Sequence, residues 1–205
     1  MTLILWIDFE TTDLDKQECE LLEVAAVVTD DKLEVDRAVF QSLIRPSAGH
    51  PYTRRMPEVV ATMHTSNGLI KEIDAGIDND TLPSVAAVEQ SLIAFIDAWV
   101  DEIGGQGTDD SKVALGGSGT SHFDAQVIEY RMPSLYERIT YWSYDVGVMR
   151  RFFRDFTELG AIGLIHTPDS KSIDHRAFTD VLAHLDEVRH YQRVMRMLMP
   201  PIPPQ

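Results

Sequence analysis

Trp6-Ile7-Asp8-Phe9-Glu10-Thr11-Thr12 sets two acids two residues apart at the end of the apolar run Leu3-Ile4-Leu5-Trp6-Ile7. The run reads as a buried core strand. Side chains alternate across a strand, so Asp8 and Glu10 leave the same face. Two adjacent carboxylates there repel each other and are costly to desolvate. A divalent cation would relieve both problems, because hard cations take carboxylate oxygens. The plain alternative is a pair of solvated acids where the strand exits into a loop.

Working outward, strands are predicted over residues 3–7, 21–29 and 33–44. The polar stretch Asp30-Asp31-Lys32 between the last two suggests a meander. Residues 52–83 read as short helices and loops around His64-Thr65-Ser66-Asn67-Gly68-Leu69. Pro83-Ser84 opens an amphipathic helix whose apolar face is Val85, Val88, Leu92, Ile93, Phe95, Ile96 and Trp99. Residues 104–111 read as a loop, and 112–115 as a short strand running into Gly116-Gly117-Ser118-Gly119. A helix is expected over 121–131, stopped by Met132-Pro133, then a strand over 141–146 and a helix to about 159. After a loop at 168–174 a final helix runs from about 175 to 199. This order predicts an α/β fold with a central mixed sheet flanked by helices. It forms one domain over 1–199, with a Pro-rich tail over 200–205 that cannot continue the helix.

Composition narrows the function. At 205 residues, 44% hydrophobic and 25% charged, the chain has the make-up of a soluble globular protein with a good core. It holds no apolar run of the roughly 18 residues that a membrane helix needs. No basic segment precedes the first strand, so a secretory signal is not expected. Cys19 is the only cysteine, which excludes an internal disulfide and a zinc–cysteine cluster and fits a reducing, cytoplasmic setting. The net charge of −15, with no Lys/Arg run, argues against broad duplex binding by phosphate neutralisation. It leaves room for a small site in which metal ions and a few arginines hold one or two phosphates.

Three further residues join the first two. Asp124 lies in Ser121-His122-Phe123-Asp124, just after the glycine-rich strand end. Taken alone, Ser121 and Asp124 read better as a helix capping box. His175 and Asp180 are five residues apart, about 140° of rotation, and would not share a face in mid-helix. They converge if His175 stands at the helix entrance with Asp180 one turn inside, an arrangement for which Asp174 or Ser172 would serve as N-cap. The alternative is an exposed histidine and a surface aspartate. Together the five could hold two divalent ions beside a titratable base, an arrangement suited to phosphodiester hydrolysis.

In order and wording the chain resembles the DEDDh 3′→5′ exonucleases, and within them the oligoribonucleases, over roughly residues 4–192. Residues 6–15 are close to the family's Trp-Ile-Asp-Leu-Glu-Met-Thr-Gly-Leu-Asp opening. Glu23-Val24-Ala25 and Val28-Thr29-Asp30 follow in the expected place. His64-Thr65-Ser66-Asn67-Gly68-Leu69 is similar to a His-Thr-x-Ser-Gly-Leu segment. Asp124 precedes Met132-Pro133 by the family spacing, and Tyr141 with Asp145-Val146 matches a His-Tyr-Arg-x-x-Asp-Val stretch. His175-x-Ala177-x-x-Asp180 matches the third motif, and Tyr191 falls where that helix carries tyrosines.

The resemblance implies a ribonuclease H-like fold, with Asp8, Glu10, Asp124 and Asp180 around two Mg²⁺ or Mn²⁺ ions. It implies that His175 deprotonates the attacking water and that nucleoside 5′-monophosphates leave from the 3′ end of short single-stranded RNA, or DNA. Thr11, Leu14, His64, Thr120 and Tyr141 are the implied substrate contacts. Family members resemble one another in forming homodimers in which a tyrosine reaches the partner's site, and Tyr141 is the matching position. Val59 replaces a tryptophan that lines the bases. Where the family caps the 5′ phosphate with serine, arginine and serine, this chain carries Thr120, Trp142 and Gly147. Losing an aromatic platform removes stacking worth about 1–3 kcal/mol per base. Two other readings stay open: a broader exonuclease on single-stranded DNA or longer RNA, and a noncatalytic binding subunit with the same fold.

Overall fold

The computed structural model describes residues 3–33, 35–103, 112–158, 160 and 174–198. Three strands lead: β1 (Ile4–Thr11), β2 (Leu21–Thr29) and β3 (Val35–Leu43). A 3₁₀ turn (His50–Arg55) and the short helices α1 (Glu58–Ser66) and α2 (Leu69–Asp78) precede the long helix α3 (Val85–Ile103). Then follow β4 (Val113–Gly117), α4 (Asp124–Arg131), α5 (Pro133–Tyr136), β5 (Ile139–Asp145), α6 (Val146–Phe156) and α7 (Ala177–Leu198).

The strands form one mixed sheet in the order β3-β2-β1-β4-β5. β1, β2 and β3 pair antiparallel as the predicted meander, while β1, β4 and β5 run parallel through helical crossovers. The central strand therefore has neighbours on both edges and packed layers on both faces, which is why β1 and β2 read as near-continuous apolar runs. Leu5, Ile7 and Phe9 face α3, α4 and α5, in a cluster with Leu92, Ile96, Val127 and Leu135. Ile4 and Trp6 face the other way, against Val146 of α6 and Val181, Leu185 and Val188 of α7. Leu22, Tyr52, Met56, Leu69 and Ile73 form a third cluster beneath α1 and α2.

Trp6 is fully buried and its indole Nε1–H donates to Thr29 Oγ1 at 2.9 Å. Its ring lies so close to β4 that a Cβ on Gly116 would come within 2.7 Å of it. Only glycine leaves room for that ring. Between α6 and α7, the guanidinium of Arg150 grips the buried Glu187 carboxylate, which also accepts from the Tyr191 hydroxyl at 3.1 Å. Among the described residues no helix is long and apolar enough to cross a membrane.

Several boundaries differ from the sequence reading. The first strand runs on to Thr11 instead of stopping at Ile7, so both acids lie inside the ladder. The helix expected from 121 starts at Asp124, and Pro133 opens a helix of its own rather than only ending one. The fifth strand begins at Ile139, not Tyr141. The last helix begins at Ala177, because His175 has φ +51°, outside the right-handed helical region. The loop expected at 104–111 and the tail at 200–205 lie outside the described residues.

Candidate active site

The register of β1 carries the site. Asp8 pairs across from Ala25 and Glu10 from Glu23, and both side chains share the face that Ile4 and Trp6 bury under α6 and α7. Asp180 occupies the first turn of α7, above that face. One carboxylate oxygen from each of Asp8, Glu10 and Asp180 lies within 4.8 Å of the others. Asp124, 4% exposed, opens α4 and accepts hydrogen bonds from its own N–H and that of Phe9, between the two strand acids. The capping box expected for Ser121 and Asp124 does not form. The helix starts three residues later than expected, which puts Asp124 at its first turn with Phe123 before it and no side-chain cap. The hydroxyl of Ser121 instead points to Asp145 Oδ2, at 3.5 Å.

The electrostatics are those of a negative cavity. Burial, then the charges of Asp124, Glu10 and Asp180, push the Asp8 carboxyl well above its ordinary range. Burial, then Asp180 and Glu23, raise Glu10 to about 8. Asp124 rises to about 7, mainly by burial and despite its backbone hydrogen bonds. Asp180 is raised by burial, partly offset by the neighbouring His175. Four carboxyls that resist ionisation, three of them with oxygens spaced for shared coordination, fit a divalent cation by charge and by ligand type. The charge of Arg176 offsets part of the rise at Glu10.

A network that the sequence did not reveal holds the start of α7. Arg176 forks onto Glu23 of β2, with Nε–Oε2 at 3.0 Å and Nη2–Oε1 at 2.8 Å. It also forks onto Glu72 of α2, at 3.2 and 2.8 Å. Glu23 Oε2 further accepts the buried N–H of Ala177 at 3.1 Å, serving as a cap from another strand. Asp174 Oδ1 accepts from Arg176 N at 3.2 Å and its Oδ2 from Thr179 Oγ1 at 3.3 Å, close to the N-cap role foreseen for it. Ser172 lies outside the described residues. Asn67 donates to the carbonyls of Asp174 and His175 at 3.1 and 2.6 Å. His175 is exposed, two residues ahead of the helix, with Asp180 one turn inside. That is the arrangement under which the two can converge. Glu23 was legible only as part of the Glu23-Val24-Ala25 match and as a lone charge in the apolar strand Leu21–Thr29.

The remaining expected residues are dispersed. His64 is fully buried; its Nε2–H donates to the Thr11 carbonyl at 3.0 Å and lies 3.8 Å from Glu10 Oε2, while Nδ1 has no partner. Burial lowers its pKa, so the ring is neutral. Thr11 is also buried, its hydroxyl donating to the Asp13 carbonyl at 2.7 Å. Thr120, an expected substrate contact, is fully buried against Gly117, with no partner for its hydroxyl. Leu14 stands 74% exposed on the loop after β1, and Tyr141 is fully exposed on the edge strand β5. Val59 projects from α1 into solvent, and Trp142 packs edge-on against Tyr144 with centroids 5.4 Å apart. At Gly147 a Cβ would meet Ser118 Oγ at 2.9 Å and Asp145 Oδ1 at 3.2 Å, so a serine there would need local rearrangement. Asp145 was legible only as part of a motif. It caps α6 through Val148 N at 3.0 Å and accepts Gly119 N–H at 3.3 Å, tying the ends of β4 and β5 together beside Asp124.

Comparison with known proteins places these features. The RNase_T exonuclease family model matches residues 5–102, which include Asp8 and Glu10. The oligoribonuclease of Streptomyces avermitilis is 31% identical over 197 residues, spanning 96% of this chain and 88% of that one. The oligoribonuclease of Cutibacterium acnes is 29% identical over 198 residues, with 97% and 88% covered. Among solved structures, Escherichia coli exonuclease I in complex with a dT13 oligonucleotide superposes with a TM-score of 0.65 at 15% identity. The match covers 97% of this chain but only 42% of that one. The shared fold is the ribonuclease H-like fold of exonucleases, and this chain spans less than half of exonuclease I. Aligned with its relatives along nearly its whole length, the chain belongs to the oligoribonuclease family of 3′→5′ exonucleases.

Proposed function

We propose that the protein hydrolyses short oligoribonucleotides from the 3′ end, releasing nucleoside 5′-monophosphates at a centre of two Mg²⁺ or Mn²⁺ ions. The observation that carries this is the convergence of Asp8, Glu10 and Asp180 within 4.8 Å. These three, with Asp124 beside Asp8, are the residues to hold the ions. When bound, the ions lower the pKa of water and stabilise charge on the phosphate and the leaving oxygen. The protein's own side chains do the rest. The acids fix where positive charge sits, since each is anchored by a strand or a helix turn rather than a loop. His175 is exposed just ahead of α7 and near enough for its charge to act on Asp180. It accepts a proton from water as the water oxygen bonds to phosphorus and the bond to the 3′ oxygen breaks. An imidazole is the side chain most often used for that task. Leu14, exposed beside the acids' strand, offers an apolar surface for a terminal base.

Val148, Phe152 and Phe156, at i, i+4, i+8, form an exposed apolar stripe on α6, the helix that follows the edge strand carrying the exposed Tyr141. It supports a homodimer, with Tyr141 reaching toward the partner's site. The lone buried Cys19 is consistent with work in the reducing cytoplasm.

A second reading, a wider length range extending to single-stranded DNA, is favoured by the exposed Val59 where an aromatic platform is expected and by Trp142 where a phosphate-binding arginine is expected. Trp142 cannot make the charge-assisted bond that arginine would. Hydrolysis of 5′-labelled RNA of two, five and ten nucleotides with Mn²⁺, with and without chelator, tests both. Chelator-sensitive release, fastest on the dinucleotide, supports the first; equal rates across lengths support the second. No release from any length would defeat both.

A further inference from the structure

We propose that Asn67 is a positioning residue for His175, an inference that rests on the proton-accepting role of His175 given above. Asn67 stands between α1 and α2, just before Gly68, which turns the chain at φ +84°. The two edges of its amide do different things. Oδ1 accepts the Leu69 N–H at 3.0 Å, which steadies the start of α2 and fixes which way the amide faces. Nδ2 donates to the carbonyl oxygens of Asp174 at 3.1 Å and His175 at 2.6 Å.

Those carbonyls belong to the peptide groups on either side of the His175 Cα. Holding both planes sets φ and ψ of His175, and with them the direction in which its imidazole leaves the backbone. The restraint is needed because His175 sits at φ +51°, a conformation a residue with a Cβ leaves unless its surroundings keep it there. Neither helix needs this donor. The start of α2 is served by Asn67 Oδ1, and the first N–H groups of α7 by Glu23 and Asp174. The Arg176 guanidinium anchors the residue after His175 to the carboxylates of Glu23 and Glu72. A contact bridging 107 and 108 positions of chain, made to the two carbonyls that flank the His175 Cα, is an aiming device.

The test is steady-state hydrolysis of an RNA pentanucleotide with Mn²⁺ by the wild type, Asn67→Asp, Asn67→Ala, His175→Ala and the Asn67→Asp/His175→Ala double variant. Asn67→Asp keeps the acceptor for Leu69 and removes the donor. Its kcat should fall about 10- to 100-fold, the scale of a misplaced catalytic group, with KM and Mn²⁺ affinity unchanged. Asn67→Ala should lose a similar factor, which separates loss of the donor from gain of a charge. In the His175→Ala background Asn67→Asp should cost nothing further, because the group it aims is gone. Wild-type kcat in Asn67→Asp, with His175→Ala impaired, overturns the proposal alone. So does an equal loss in the presence and absence of His175, or a loss in Asn67→Asp that Asn67→Ala does not share. Wild-type kcat in His175→Ala removes the role of His175 itself, and the proposal with it.

Discussion

His175 and Asp180 show how a single backbone angle separates two duties. The left-handed conformation at residue 175 keeps the imidazole off the helix and exposed, while the carboxylate five residues on is carried by a rigid first turn. The cost of that conformation, about 1–2 kcal/mol, is held in place by neighbours rather than by local propensity. His175→Ala removes a proton acceptor without touching the acids. Its kcat should fall by about 10²- to 10⁴-fold, the usual worth of a general base, while Mn²⁺ binding followed by calorimetry stays unchanged. A matching loss of Mn²⁺ affinity would place His175 among the ligands instead. Asp8→Asn relieves a buried, repelled charge. It should abolish hydrolysis yet raise the melting temperature of the metal-free protein at pH 8, as removing a strained functional group often does.

At the scale of elements, β2, α2 and α7 meet through Arg176. Its side chain is 22% exposed and that of Glu23 9%, so the pair is largely desolvated. Arg176→Met strands Glu23 without a counter-charge. It should destabilise the fold by about 3 kcal/mol in urea unfolding, the low end for breaking a buried pair. A loss under half of that would mean the fork contributes little and Glu23 is hydrated. What could be read from the sequence follows the same division. The two strand acids, the meander and the long amphipathic helix were legible because their signals are local: an alternating face, a turn, a 3.6-residue period. Asp124 was half-legible, since its Ser-x-x-Asp pattern pointed to a cap, and only the Phe9 N–H across the fold gives it another partner. Glu23, Glu72, Asn67 and Arg176 could not be read as a unit. Their contacts span 104 to 153 positions and depend on how α2 and α7 dock on the sheet. The burial of Thr120 could not be read either, because its hydroxyl turns inward where Gly117 leaves space.

For the whole molecule, the acid group governs pH dependence. Each carboxyl has a folded pKa above its unfolded value, so the folded state binds protons more tightly. The stability it contributes is full below about pH 4 and is lost as pH rises through the raised values, about 7 for Asp124 and 8 for Glu10. His64 and His184 act in the opposite sense. Burial lowers both pKa values, so stability falls as pH drops below their unfolded value near 6.5. The metal-free protein should therefore melt at a lower temperature at pH 8.5 than at pH 6.5. The rise in melting temperature on adding Mn²⁺ should be larger at pH 8.5, because ligands must be deprotonated to bind. A Mn²⁺ effect independent of pH would contradict this. The exposed stripe of Val148, Phe152 and Phe156 belongs to this scale too. Phe152→Asp should shift the mass seen by light scattering from two chains to one, and a mass unchanged from the wild type would place the interface elsewhere.

The most direct measurement is a calorimetric titration of Mn²⁺ into the wild type and Asp180→Asn at pH 8. Binding to the wild type should be saturable and binding to the variant at least about tenfold weaker, the loss expected when a metal site is disturbed. Equal affinity in the two proteins would contradict it, because the three carboxylates that meet at the head of α7 would then not be the metal centre.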